Sequence, residues 1–262
     1  MKFNSLLSSL SALLPFAASG ALVAHYPLDT DASDASGNGY DGSVVGGSVD
    51  FGQAGANGNT GSSAAFPNQG RIDVPFNSAL NPASYTVTLW ANASSTNGFA
   101  SPITSRDDTL TSVHGYIVYN DNGGNWNNWT GSGGGPGSWD QLPGGAVSTD
   151  TWTHLALSYD AATNTKSFYV DGSLAGSKNT GLLYSPNGTV QSENLHIGAG
   201  ADSGGAFFFS GNIDDVSIWN TALDEAAILN IKDNGVASAI PEATSLGLLA
   251  LGCLGLVRRR RS

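Results

Sequence analysis

The chain has 262 residues and a formal net charge of −11; only 12% of its residues are charged, 40% are hydrophobic and 35 are glycine. That apolar content excludes a disordered chain. So little charge beside so much Gly, Asn, Ser and Thr excludes a helical cytosolic enzyme and points to a turn-rich extracellular β protein.

Residues 1–21 read as a secretory signal: Lys2 gives the positive start, 6–18 the apolar stretch, and Ala17-Ala18-Ser19-Gly20-Ala21 the small residues a signal peptidase needs. Pro15 and Gly20 interrupt the run and argue against a buried first helix. The domain that follows, 22–237, is one series of short strands and turns. Alternating or β-branched patterns predict strands at 23–28, 71–76, 84–91, 115–119, 151–158, 166–170, 194–198 and 213–219. Gly37-Asn38-Gly39, Asp121-Asn122-Gly123-Gly124 and Asp171-Gly172 supply turns, the last a tight-hairpin signal, and Thr163-Asn164 turns a further hairpin. One short helix is expected near the end. Asn220 or Thr221 caps it, Asp224 and Glu225 sit in its first turn, Leu223, Ala227 and Ile231 recur every four residues, and Asn234-Gly235 stops it. Many antiparallel strands with no βαβ rhythm make the fold class all-β, a two-sheet antiparallel sandwich.

The closing segment, 238–262, joins Pro241-Glu242, an apolar run at 243–257 and the cluster Arg258, Arg259, Arg260 and Arg261. A helix over that run is ~22 Å long, short of the ~30 Å hydrocarbon core, which suits transient insertion in a membrane better than permanent anchoring. Loss of both ends leaves five cations against 20 acids, a net charge of −15, which excludes nucleic acid as a partner and suits divalent cations. The single cysteine, Cys253, lies in this tail, so the domain itself has no disulfide.

Two places in the domain stand out. In "GNIDDVSIW", period-two counting puts Asp214 on one face with Val216 and Ile218, and a carboxylate aimed the way a core points is costly unless something binds it. In 120–145, Trp126, Trp129 and Trp139 sit among glycines and asparagines that build no core. Indole faces stack on sugar rings while Asn127 and Asp140 accept hydroxyl hydrogen bonds, so this stretch reads as a glycan-binding rim. The alternative is that one or two of these indoles fold under the loop and pin it to a sheet edge. Trp90, Trp152 and Trp219 lie in strand patterns and are assigned to the core. His25, His114, His154 and His196 show no metal spacing and read as polar residues on strand faces. Of the glutamates Glu193, Glu225 and Glu242, none belongs to a glycosidase-type pair, and no Gly-x-Ser-x-Gly elbow occurs, so no catalytic residue is assigned.

The ordered blocks "HYPLDTDASDASGNGYDG", "RIDVPFNSALNPASYTVTLWAN", "TWTHLALSYDAATNTKSFYVDGSLAG" and "FSGNIDDVSIWNTALDEAAILNI" resemble laminin-G-like domains of the concanavalin A-like superfamily. The resemblance implies a jelly roll and a structural Ca²⁺ at Asp214, with backbone carbonyls and an acid of the opening segment, Asp34 first and Asp29 next, completing its shell. Otherwise Asp214 only bonds turn amides. The tail is similar to the PEP-CTERM sorting signal of bacteria that make extracellular polysaccharide, although Ala243 stands where the usual motif has a second proline. That likeness implies a terminal apolar sorting helix, processing by an exosortase, transient inner-membrane insertion, and delivery to the cell surface or matrix. The reading that follows is a secreted, non-catalytic surface protein whose partner is an extracellular polysaccharide or glycan. A purely structural calcium-stabilised protein and an atypical polysaccharide-degrading enzyme are its rivals.

Overall fold

A computed structural model describes residues 20–108, 111–179, 182–200 and 207–240. Residues 1–19 of the expected signal segment and the sorting residues Pro241, Glu242 and Arg258 to Arg261 lie outside the described residues. Among the described residues, no helix is long and apolar enough to cross a membrane.

The strands build two antiparallel sheets. In chain order they are β1 (Leu22–Tyr26), β2 (Ser43–Gly46), β3 (Asp50–Ala54), β4 (Ser62–Ala65), β5 (Gly70–Val74), β6 (Tyr85–Ala93), β7 (Ala100–Asp108), β8 (Val113–Asn120), β9 (Asn125–Thr130), β10 (Asp140–Ala146), β11 (Trp152–Asp160), β12 (Thr165–Val170), β13 (Ser173–Asn179), β14 (Leu195–Ile197) and β15 (Gly211–Trp219). The first sheet runs β13-β12-β11-β6-β15-β4-β3, with β1 also paired to β15; the second runs β10-β9-β8-β7-β14-β5-β2. Each of the eight strands expected from sequence is present. The 120–145 stretch, expected as a loop, instead supplies β9 and β10, a hairpin at the edge of the second sheet. Its period-two pattern is built from Trp and Asn in place of aliphatic residues, which disguised it.

Inward side chains of both sheets fill one core. Val87, Leu89, Leu155, Leu157, Phe168 and Ile213 from the first sheet meet Ile72, Ile103, Tyr116, Val118 and Ile197 from the second. The Asp171-Gly172 turn joins β12 to β13 with both residues at positive φ, 52° and 79°, which is why the second is glycine. The helix α1 spans Glu225–Asn234 and is capped by Asp224, whose Oδ1 accepts the Ala227 N–H at 2.8 Å, rather than by Asn220 or Thr221. Those two residues are still tied to the sheet. Asn220 Oδ1 accepts the Ala21 N–H at 3.0 Å, and the Thr221 carbonyl accepts the Thr86 hydroxyl at 2.8 Å. Gly235 closes the helix at φ 79°, donating its N–H to the Ile231 carbonyl at 2.8 Å. The helix lies on the outer face of the first sheet, where Ile228 packs with Ala156 and Tyr169, and Ile231 with Trp219 and Val236.

Candidate functional site

Strand pleating splits the tryptophans of β9 between two faces. Trp126 is 1% exposed and belongs to the inter-sheet core, so it is not on the rim where sequence reasoning put it. Trp129, three residues on, points outward. There it meets Trp139 at 6.5 Å between ring centroids, Phe99 at 5.6 Å and Tyr119 at 5.1 Å. Phe207 stands edge-on to Tyr119 at 5.7 Å. These five rings wall a cavity of about 250 Å³ on the outer face of the second sheet. Arg106 from β7 lies in its wall with its guanidinium carbon 5.9 Å from the Trp139 ring centre and 5.7 Å from that of Phe207, and donates to the Tyr119 hydroxyl at 2.9 Å. Asp108 lines the same cavity, 3.8 Å from Arg106. The lining is apolar with a few polar groups at its margin, the makeup of a small-ligand site. Phe99, Tyr119, Phe207 and Arg106 were missed from sequence; they come from three separate stretches, and only the outward alternation of Ile117 and Tyr119 in β8 hinted at a covered outer face.

Asn127 shares this outer face, opposite Tyr119, and donates to Asp121 at 3.3 Å. Its Oδ1 is buried without a partner. Asp140 does not join the rings. It is the cross-strand partner of Thr130 on β9, and its carboxylate holds Lys178 and, at 3.1 Å, Lys166. Its pairing with the buried Lys166 and with Lys178 outcompetes a surface role for it. Trp90 and Trp219 are buried as expected, whereas Trp152 is only partly so.

The second candidate lies on the other sheet. Asp214 is fully buried but faces outward, not along the core with Val216 and Ile218 as period-two counting implied. Its neighbour Asp215 adopts a left-handed φ of 49° and the pairing to β6 slips there, so a β-bulge shifts the alternation by one residue. Asp214 Oδ2 accepts the Ala56 N–H and the Thr60 hydroxyl, both at 2.8 Å. Its Oδ1 is buried and has no partner. Burial, with Asp215 and Asp29 nearby, pushes its carboxyl up to about 7 despite the donors from Ala56 and Thr60. Asp29 accepts the Ser62 N–H from the same 55–62 loop. Asp34 is used differently. Its oxygens accept from the N–H groups of His25, Ser36 and Tyr40 and from the Ser36 hydroxyl, at 2.8 to 3.0 Å, and so fasten the 34–40 turn. Among the described residues, no three His, Cys, Asp or Glu side chains gather as a metal cluster. Two of the histidines pair with carboxylates, His25 with Asp215 at 2.6 Å and His196 with Asp73 at 2.7 Å; His114 bonds the Ser185 and Ser112 hydroxyls, and His154 Nδ1 is buried without a partner.

A sequence model of the concanavalin A-like lectin/glucanases superfamily, laminin-G type, matches residues 57–229. No curated protein sequence matches the chain. Among solved structures, domain 4 of AbnA, an extracellular GH43 arabinanase of Geobacillus stearothermophilus in complex with arabinotriose, is similar. It is 22% identical with a TM-score of 0.61, over 82% of this chain and 100% of that one. The binding domain of botulinum neurotoxin serotype D is 16% identical with a TM-score of 0.55, over 81% of this chain and 51% of that one, so this chain spans about half its length. The CBM40 of a Ruminococcus gnavus sialidase, bound to α2,3-sialyllactose, is 15% identical with a TM-score of 0.50, over 59% and 85%.

Proposed function

Because the chain belongs to the concanavalin A-like lectin/glucanases superfamily, we propose that it is a non-catalytic carbohydrate-binding protein whose ligand seats in the cavity walled by Trp129, Trp139 and Phe207. The observation that carries this reading is the set of five rings that wall a cavity on the outer face of the second sheet. Indole and phenyl faces covered by a sugar ring remove apolar surface from water at roughly 25 cal/mol per Å², and so reward a pyranose without demanding charge. The arabinotriose and sialyllactose bound by two similar folds support a glycan as the ligand class. A glycan-array screen of the purified protein, repeated with Trp129→Ala and Trp139→Ala, tests it. Binding of at least one glycan that both substitutions remove is the expected result; no binding by the wild type, or binding that survives both, rejects the site.

The protein's surroundings follow from the same reading. It is secreted, and its 238–262 tail serves exosortase-type sorting to the cell surface through a transient inner-membrane stage. Surface-recovered protein is therefore expected to lack Arg258 to Arg261, which intact-mass measurement checks. A structural Ca²⁺ is held by Asp214 and Asp29 with carbonyls of the 55–62 loop. The partnerless Oδ1 of a buried carboxylate, with the Asp29 carboxylate of the opening segment bonded to the same loop, supports a hard cation that prefers oxygen ligands. The bound ion would neutralise charge that burial otherwise penalises. Asp34 takes no part, since its oxygens are occupied.

A further inference from the structure

At the open edge of the sandwich, between β9–β10 and β12–β13, the interior is polar. Lys166 shares the inward face of β12 with Phe168 and is 1% exposed. Its Nζ donates to the Asp140 carbonyl at 2.5 Å, to Thr130 Oγ1 at 3.2 Å and to the Asn128 carbonyl at 3.5 Å, and lies 3.1 Å from Asp140 Oδ2. Asn128 stands opposite Val118 and Leu142, both core residues, so its side chain also points between the sheets. It is completely buried, and neither its Oδ1 nor its Nδ2 has a hydrogen-bond partner. A primary amide placed in a core with both ends unpaired is a large expense with no visible return. The Cγ of Asn128 and the carbonyl oxygen that Lys166 already reaches are each two bonds from the same Cα.

We propose that Lys166 and Asn128 react to form an intramolecular amide bond, Nζ to Cγ, that staples the two sheets together, with Asp140 as the proton carrier. The Lys166 ammonium gives a proton to the Asp140 carboxylate. The freed lone pair attacks Asn128 Cγ, and the carbonyl electrons move to Oδ1. Asp140 delivers a proton to Nδ2, the C–Nδ2 bond breaks, and ammonia leaves, carrying off as ammonium the proton that Lys166 loses in becoming an amide nitrogen. No oxidant or cofactor enters the balance. Three features favour the step. Burial draws the Lys166 ammonium down to about 8, so a neutral fraction exists near neutral pH. Asp140 sits between Lys166 and Lys178, so loss of the Lys166 charge leaves a balanced pair. The reaction also removes the unpaired Nδ2 donor from the core. In a domain without cysteine, it supplies a covalent tie that no disulfide offers.

Proteolytic mapping of the purified, folded protein by mass spectrometry tests this without any variant. The expected product is a branched fragment joining the Asn128 and Lys166 peptides and lighter than their sum by one ammonia. Lys166→Arg and Asn128→Ala should each abolish it, and Asp140→Asn should leave the two peptides unjoined. Recovery of both wild-type peptides as linear species at full mass overturns the proposal. So does an ammonia loss that persists in Lys166→Arg, which would belong to an Asn-Gly site such as Asn38-Gly39.

Discussion

On the first sheet the outer face disappears beneath α1 and the 55–62 loop, whereas on the second it keeps a solvent-reaching cavity walled by five rings. The covered face carries Trp90, His154 and Asp214 as adjacent cross-strand partners. Each has a buried polar atom without a partner: Trp90 Nε1, His154 Nδ1 and Asp214 Oδ1. The open face carries Trp129, Trp139 and Tyr119, which pack mostly on one another. Outer-face aromatics therefore serve two purposes here. Tyr169 and Trp219 are covered by helix residues Ile228 and Ile231, whereas the rings of the open sheet line a cavity, the surface on which the proposed ligand would stack.

Substitutions that act on one face and spare the other test the comparison. The largest effect is expected inside the sandwich, where Trp126→Ala should lower stability by ~3–5 kcal/mol, as truncation of a buried aromatic does. Denaturant unfolding measures it, and a cost below ~1 kcal/mol would mean that β9 does not present Trp126 to the core. Next comes the covered face. If calcium binds there, an excess of one hundredfold over Kd adds about 2.7 kcal/mol. A chelator should lower the melting temperature of the wild type and leave that of Asp214→Ala unmoved.

Acid gives a third, smaller handle on the same face. Burial, helped by Lys232, lowers the imidazolium pKa of His154 to about 3, so the ring is neutral in the fold. The unfolded chain binds a proton there below 6.5, so this group's contribution is intact above 6.5. It is lost as pH falls toward 3, by about 1.4 kcal/mol per unit. The metal-free carboxyl of Asp214, raised to about 7, works in the opposite sense, favouring the fold as pH falls from 7 toward its ordinary value. The difference between wild type and His154→Gln isolates the histidine: thermal melts from pH 7 to 4 should converge as pH drops. Parallel curves would show that His154 titrates normally. The smallest stability effect belongs to the open face. Trp129→Ala and Trp139→Ala should change the melting temperature by only a few degrees while removing glycan binding. A stability loss matching that of Trp126→Ala would make these rings structural.

The order of the strands, the Asp171-Gly172 hairpin and the late helix were all legible in the sequence, because turn chemistry and β-branched alternation are local signals. Two errors in assigning faces have different causes. Period-two counting assigns faces only while the strand stays regular, and at Asp215 a bulge consumes one residue, which moved Asp214 from the face of Val216 to the opposite one. In 120–145 the glycines around the indoles hid a hairpin, so three tryptophans read as one cluster although the pleat sends Trp126 inward and Trp129 outward. The partners of Trp129 were beyond reach altogether. Phe99, Arg106, Tyr119 and Phe207 converge only after β7, β8 and the segment before β15 are folded together.

The pairing of β1 with β15 places the start of the domain beside its finish: Leu22 lies opposite Trp219 and packs in the same cluster as Val236 and Ala239. Tension applied between these neighbouring ends would act across the β1–β15 ladder, opening its hydrogen bonds one after another from the Leu22 end instead of loading them together. A domain stretched by its own two ends would therefore yield first at this seam.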